Sequence, residues 1–179
     1  KNTDADAVIA VYPFTPQPLI THAIILSADI PVFCGVGSGI STAKRILNLA
    51  LDAEFNGAMG VVVNSPTSNE VIEQMRDSID IPIIVTIVSE YEDVQKRIEA
   101  GATIINVSGA EETTKIVKKV RSQYPNFPII ATGGPTEKNI KETILAGANA
   151  IAFTPPTSAE VLRQIMIEHR KKYKNRRPE

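Results

Sequence analysis

Short apolar runs rich in Val and Ile alternate along this chain with longer stretches whose apolar positions recur every three or four residues. The short runs fall at residues 7–12, 32–36, 59–64, 83–88, 103–107, 129–132 and 150–154. They are nearly continuous rather than alternately polar, which is how strands covered on both faces of a parallel sheet read. A first helical stretch holds His22, and the later stretches predict helices at 41–55, 69–78, 91–100, 111–124, 137–146 and 159–172. Thr67…Glu70, Ser89…Glu92, Ser108…Glu111 and Thr157…Glu160 have the form of capping boxes, in which the hydroxyl accepts from a helix N–H and the Glu reaches back. Gly57, Gly101 and Gly147 mark helix ends, since glycine tolerates the left-handed position that closes a helix.

A longer period sits on top of this one. Three strands open on a proline (Pro31, Pro82, Pro128), and the strands between them open on Gly57-Ala58, Gly101-Ala102 and Gly147-Ala148. The repeating unit is therefore two strands and two helices. Ala5-Asp6-Ala7 resembles the small-residue type, so the alternation calls for a proline-type strand before it, upstream of Lys1. The prediction is an α/β fold, a parallel (β/α)8 TIM-type barrel lacking its first strand in this chain, formed as one domain over residues 1–179. An open doubly wound sheet is the alternative, but such sheets reverse order midway through a longer crossover.

The composition fits an ordinary globular domain, with 43% hydrophobic and 22% charged residues. Residues 1–169 carry 13 Lys and Arg against 19 Asp and Glu, net −6, while 170–179 ends in a basic run with Arg170, Lys171, Lys172, Lys174, Arg176 and Arg177. A basic end suits RNA or another phosphate-rich partner, and the acidic body argues against broad RNA contact. The lone Cys34 excludes an internal disulfide and fits a reducing cytoplasm. No uncharged apolar run is long enough for a membrane span, and the opening residues do not read as a signal peptide.

In a parallel barrel the chemistry lies on the loops after the strands. Gly133-Gly134 is the clearest anion signal there, because paired glycines let backbone amides approach a phosphate ahead of a helix N-terminus. Thr154, Thr157 and Ser158 follow the last strand, where Pro155 and Pro156 remove two amide donors and leave hydroxyls to compensate. Asn64, Thr86, Asn106 and Ser108 are candidates for polar contacts inside the pocket. Gly35, Gly37 and Gly39 follow a strand without the spacing of a dinucleotide loop. Glu90 is the candidate general base and Cys34 the candidate nucleophile, although Glu90 also lies within a capping box and no His is placed to activate Cys34. No strand end offers a metal-ligand set or a Schiff-base lysine.

The segment from Ile129 to Thr154, containing Ala131-Thr132-Gly133-Gly134-Pro135-Thr136 and Ala146-Gly147-Ala148, resembles the last two units of the ribulose-phosphate-binding barrels. That resemblance implies a ligand phosphate held between Gly133/Gly134 and residues 154–158. It also implies an isomerase, epimerase or lyase acting on a small phosphorylated metabolite, with no required cofactor and flavin mononucleotide (FMN) as a candidate. The same segment resembles the glycerol-uptake-operon antiterminators, which implies instead a non-catalytic sensor of a phosphate ester. A homodimer is expected on general grounds, the more so if a missing strand leaves an edge to cover.

Overall fold

The computed structural model describes residues 4–11, 16–37, 40–134 and 136–174. Residues 12–15, Ser38, Gly39, Pro135 and the end of the basic tail, including Arg176 and Arg177, lie outside the described residues. Seven strands are present: β1 (Val8–Ala10), β2 (Val32–Gly35), β3 (Gly60–Val63), β4 (Ile83–Ile87), β5 (Ile104–Val107), β6 (Ile129–Thr132) and β7 (Ala150–Ala152). They pair in sequence order into one sheet, and every neighbouring pair is parallel. Between and after them run α1 (Pro18–Ser27), α2 (Ala43–Phe55), α3 (Asn69–Arg76), α4 (Val94–Ala100), α5 (Thr113–Gln123), α6 (Glu137–Leu145) and α7 (Ser158–Lys174). The order does not reverse, so the doubly wound alternative is excluded and the structure is a parallel barrel open between β7 and β1.

Side chains alternate across each strand. One set (Cys34, Val61, Val63, Val85, Ile87, Ile105, Val107 and Ala131) packs outward against Ile46, Leu49, Ile72, Met75, Ile116 and Val120 of the helices. Each fully buried aliphatic side chain in this layer contributes about 1.5–3 kcal/mol of transfer free energy. The other set, including Phe33, Val62, Ile84, Thr86, Asn106 and Ile130, takes the opposite face and lines the interior. The register sets Thr86 beside Asn106, and Asn106 beside Ile130.

At the open seam the sheet has two edge strands, and apolar groups remain exposed on both sides. They include Leu19 and Leu26 on α1, Phe153 after β7, and Leu162 and Ile165 on α7. That is the consequence expected of a barrel lacking one strand.

Gly57, Gly101 and Gly147 adopt φ of 89°, 127° and 112°, the left-handed closures that the sequence predicts. Of the four predicted capping boxes, only Thr157…Glu160 closes reciprocally: Thr157 N donates to Glu160 Oε2 (2.7 Å) and Glu160 N to Thr157 Oγ1 (3.2 Å). Elsewhere the helix starts later. Ser68 precedes α3, and Asp93 caps α4 by accepting from Lys96 N at 3.2 Å. After β5, Ala110 takes a left-handed φ of 50° and a 3₁₀ turn over Ala110–Glu112 leads into α5, so the box from Ser108 has no helix to cap.

Arg121 at the end of α5 fastens the far end of the barrel. Its guanidinium donates to the carbonyls of Gly147 (2.8 Å), Pro125 (2.8 Å) and Phe127 (2.9 Å) and to Asn149 Oδ1 (2.6 Å). Gly147 is required there on two counts, its positive φ and a side-chain position that would lie 2.6 Å from Arg121 Cγ. Arg121→Met strands several carbonyls at once and is expected to cost about 2–4 kcal/mol in urea unfolding. A loss below about 1 kcal/mol would show that water replaces the guanidinium at no net cost.

Candidate functional site

The strands' C-terminal ends and the helix N-termini share one end of the barrel, and the sequence candidates divide according to whether their side chains reach it. Thr86 and Asn106 do. They sit side by side on β4 and β5 on the interior face, and Asn106 Nδ2 donates to Thr86 Oγ1 at 3.1 Å. Thr86 is 8% exposed, and Asn106 Oδ1 is buried with no hydrogen-bond partner. Ser108 follows on the same face just past β5, its amide donating to the Ile87 carbonyl at 2.9 Å. Asn64 stands exposed at the end of β3.

Two neighbouring loops of this mouth are locked together by a pair that the sequence reading missed. Arg97 on α4 donates to the carbonyls of Ser65 (2.7 Å) and Thr67 and to Asn69 Oδ1 (2.9 Å). Glu92 accepts from Val88 N (2.8 Å) and Ser65 Oγ (3.0 Å) through one oxygen, while the other, buried, lies 3.5 Å from Arg97 Nη2. Only 14% and 17% of these two side chains is exposed, so the pair is shielded from solvent. The signal available in sequence was an Arg on the buried side of a short helix, which one-dimensional patterning does not distinguish from a solvated one.

The end that the sequence marks for an anion is built from β6, β7 and the helices after them. Gly133 N is already engaged, donating to the Ala152 carbonyl at 2.7 Å and extending the ladder by one residue. Neither Gly133 nor Gly134 has positive φ. They are glycine because side chains there would come within 2.8 Å of Ile151 and 2.7 Å of Asn139. Thr136 caps α6, accepting from Asn139 N at 3.2 Å. At the start of α7 both the amide and the hydroxyl of Thr157 point at Glu160 Oε2, and these bonds hold the Glu160 carboxyl below its ordinary range. A carboxylate thus occupies the position where Thr157 would meet an anion, while Thr154 and Ser158 stay exposed.

Cys34 and Glu90 are placed elsewhere. Cys34 is fully buried on the outward face of β2 within the helix-facing core, and burial, with Asp52 nearby, pushes its thiol up to about 11. A thiol so protonated is a small apolar core group and a poor nucleophile. Glu90 turns to the outer wall, where its carboxylate meets Lys115 Nζ of α5 at 2.6 Å. That bond holds Glu90 below the usual carboxylate range, the opposite of what a base working near neutral pH requires. A groove of about 510 Å³ between α1 and α2, bordered by Pro18, Thr42, Arg45 and Asp52, is lined by helix residues and their caps, not by the strand ends.

No family model and no curated protein sequence matches the chain. Solved structures do. The chain is similar to one described as an aldolase, with a TM-score of 0.67 and 19% identity, covering 90% of this chain and 82% of that one. It is also similar to the 4-hydroxy-tetrahydrodipicolinate synthase of Methylacidiphilum fumariolicum (TM-score 0.65, 19% identity, 83% of this chain and 57% of that one). A phosphonopyruvate hydrolase solved with oxalate and Mg²⁺ gives a TM-score of 0.62 at 17% identity, covering 87% and 66%. The chain spans about half (51%) of the length of a putative dihydrodipicolinate synthetase from Pseudomonas aeruginosa that it also matches (TM-score 0.62, 14% identity, 76% of this chain). At these identities the likeness is one of fold, that of the TIM-type barrels.

The placements of Cys34 and Glu90 are each open to measurement. Iodoacetamide at pH 7.5 should leave native Cys34 unmodified and label it rapidly in urea; fast native labelling would contradict its burial. The Glu90–Lys115 pair lowers a carboxylate, so its stabilisation is present above the ordinary Glu range and is lost as the pH falls through the lowered value. Lys115→Met should therefore flatten the acid limb of stability in urea titrations at successive pH values, and an unchanged limb would mean the pair is not populated.

Proposed function

We propose that the chain binds a small phosphorylated metabolite at the mouth of its barrel and acts on it as a lyase- or isomerase-type enzyme. The observation that carries this reading is the convergence of two helix N-termini, those of α6 and α7, after the adjacent strands β6 and β7, with Gly133-Gly134 packed against the first of them. Helix N-termini favour anions through their free N–H groups and dipole. Gly134 and the hydroxyls of Thr154 and Ser158 would hold the phosphate, and Thr157 would join once Glu160 yields. Gly133 contributes a close approach rather than its amide. Thr86, Asn106, Ser108 and Asn64 would meet the rest of the ligand. The reaction class follows the barrel neighbours described as an aldolase, a synthase and a hydrolase.

A non-catalytic sensor is the second reading. It is favoured by the outward placement of both candidate catalytic groups, Cys34 and Glu90, and it would use the exposed basic residues Arg170, Lys171 and Lys172 toward RNA. The unpaired edges of β1 and β7 support the expectation of a homodimer, which light scattering reads directly.

Thermal-shift titration with sugar phosphates, glycerol phosphate, FMN and inorganic phosphate tests the binding claim: at least one should raise the melting temperature, and none doing so would end it. Ser158→Asp places a carboxylate in the first turn of α7 and should abolish the shift with the far-ultraviolet dichroism unchanged; a retained shift would move the phosphate elsewhere. Glu160→Gln removes the competing charge and should tighten phosphate about two- to fivefold.

A further inference from the structure

The interior face of the barrel is uncharged at every described strand position, from Ile9 on β1 to Ala152 on β7. Within it, Thr86 and Asn106 form the polar step on β4 and β5, bordered by Ile84, Ile104 and Ile130. The step is incomplete. Asn106 Nδ2 is used on Thr86 Oγ1, but Asn106 Oδ1 is buried without a donor. An orphaned buried acceptor costs about 1–3 kcal/mol, so a water or ligand group that donates to it is stabilising there. What is missing is a hydrogen-bond donor. A carboxylate brings only acceptors, and no cation on the described interior face would offset its desolvation.

We propose that Thr86 and Asn106 select the end of the ligand remote from the phosphate: a neutral, hydroxyl-bearing carbon whose O–H donates to Asn106 Oδ1, with carboxylated phosphate esters rejected. The inference rests on the reading that the mouth holds the phosphate, and it makes the two residues specificity determinants rather than catalytic ones. It also explains a polar pair bordered by Ile84, Ile104 and Ile130, where Val and Leu would pack without an unsatisfied atom.

The test compares ribose 5-phosphate, 3-phosphoglycerate and inorganic phosphate by calorimetric titration, on the unaltered chain and on Asn106→Leu and Thr86→Val. The unaltered chain should bind ribose 5-phosphate at least about tenfold more tightly than either of the others, the worth of one good hydrogen bond. Asn106→Leu should bring ribose 5-phosphate down to the level of inorganic phosphate while leaving inorganic phosphate itself unchanged. The double variant Thr86→Val/Asn106→Leu should hold or raise the melting temperature without ligand, because the orphaned acceptor and the Thr86 hydroxyl that Asn106 partners are both gone. Equal binding of 3-phosphoglycerate and ribose 5-phosphate, or an undiminished ribose 5-phosphate affinity in Asn106→Leu, would overturn the proposal. Free ribose at tens of millimolar separates the two readings. If inorganic phosphate fails to bind but ribose still raises the melting temperature of the unaltered chain and not of Asn106→Leu, the phosphate cradle falls and the selectivity of the step stands. If ribose raises neither and inorganic phosphate binds, the step is refuted and the cradle stands.

Discussion

Every strand in this chain has to be covered on both faces while passing its hydrogen bonds sideways to two neighbours, and the rest of the structure answers that demand. Parallel pairing cannot be made by tight turns, so each strand is followed by a helix that returns the chain to the start of the next. Outward side chains such as Val61, Ile87 and Ile105 are buried by those helices, and inward ones such as Ile84 are buried inside the barrel. The two edges left at β1 and β7 are where the demand is unmet, and the exposed leucines of α1 and α7 flank that gap. Closing it with one more parallel strand would satisfy backbone and side chains together.

The same connectivity builds the mouth. Because every helix runs back against its strand, all the helix N-termini gather at the strands' C-terminal ends, and a polar group placed last on a strand lies near several dipoles. Precision then depends on how the loops are held. Arg97 and Glu92 do this for the loops after β3 and β4, through the carbonyls of Ser65 and Thr67, the Val88 amide and the side chains of Ser65 and Asn69. At α7 the holding group is Glu160, which stabilises the helix start and, on the same atoms, competes with any anion for Thr157.

Much of this architecture is written locally. Continuous Val and Ile runs specify strands buried on both sides, and their centres were legible to within a residue or two, as with 83–88 against the observed Ile83–Ile87. Gly57, Gly101 and Gly147 could be read because positive φ is a property of a single residue. The capping boxes were less legible. A Ser or Thr three residues before a Glu is a frequent coincidence, and Glu92 was drawn into the pair with Arg97 instead, leaving the cap to Asp93.

What the sequence alone determined, then, was the element order, the parallel repeat and hence the end of the barrel at which strand ends and helix N-termini gather, because these follow from periodicity and from residues with special backbone freedom. Only the tertiary structure decided which side chains face that end. Alternation along a strand is strict, but its phase is not written in a run as uniformly apolar as that around Cys34; packing against α2 turned the thiol into the wall. Glu90 was decided by Lys115, 25 residues away in sequence, and Asn106 by Thr86 on the neighbouring strand. Contacts between residues so far apart in the chain exist only once the sheet register is set, and that register is a property of the whole barrel.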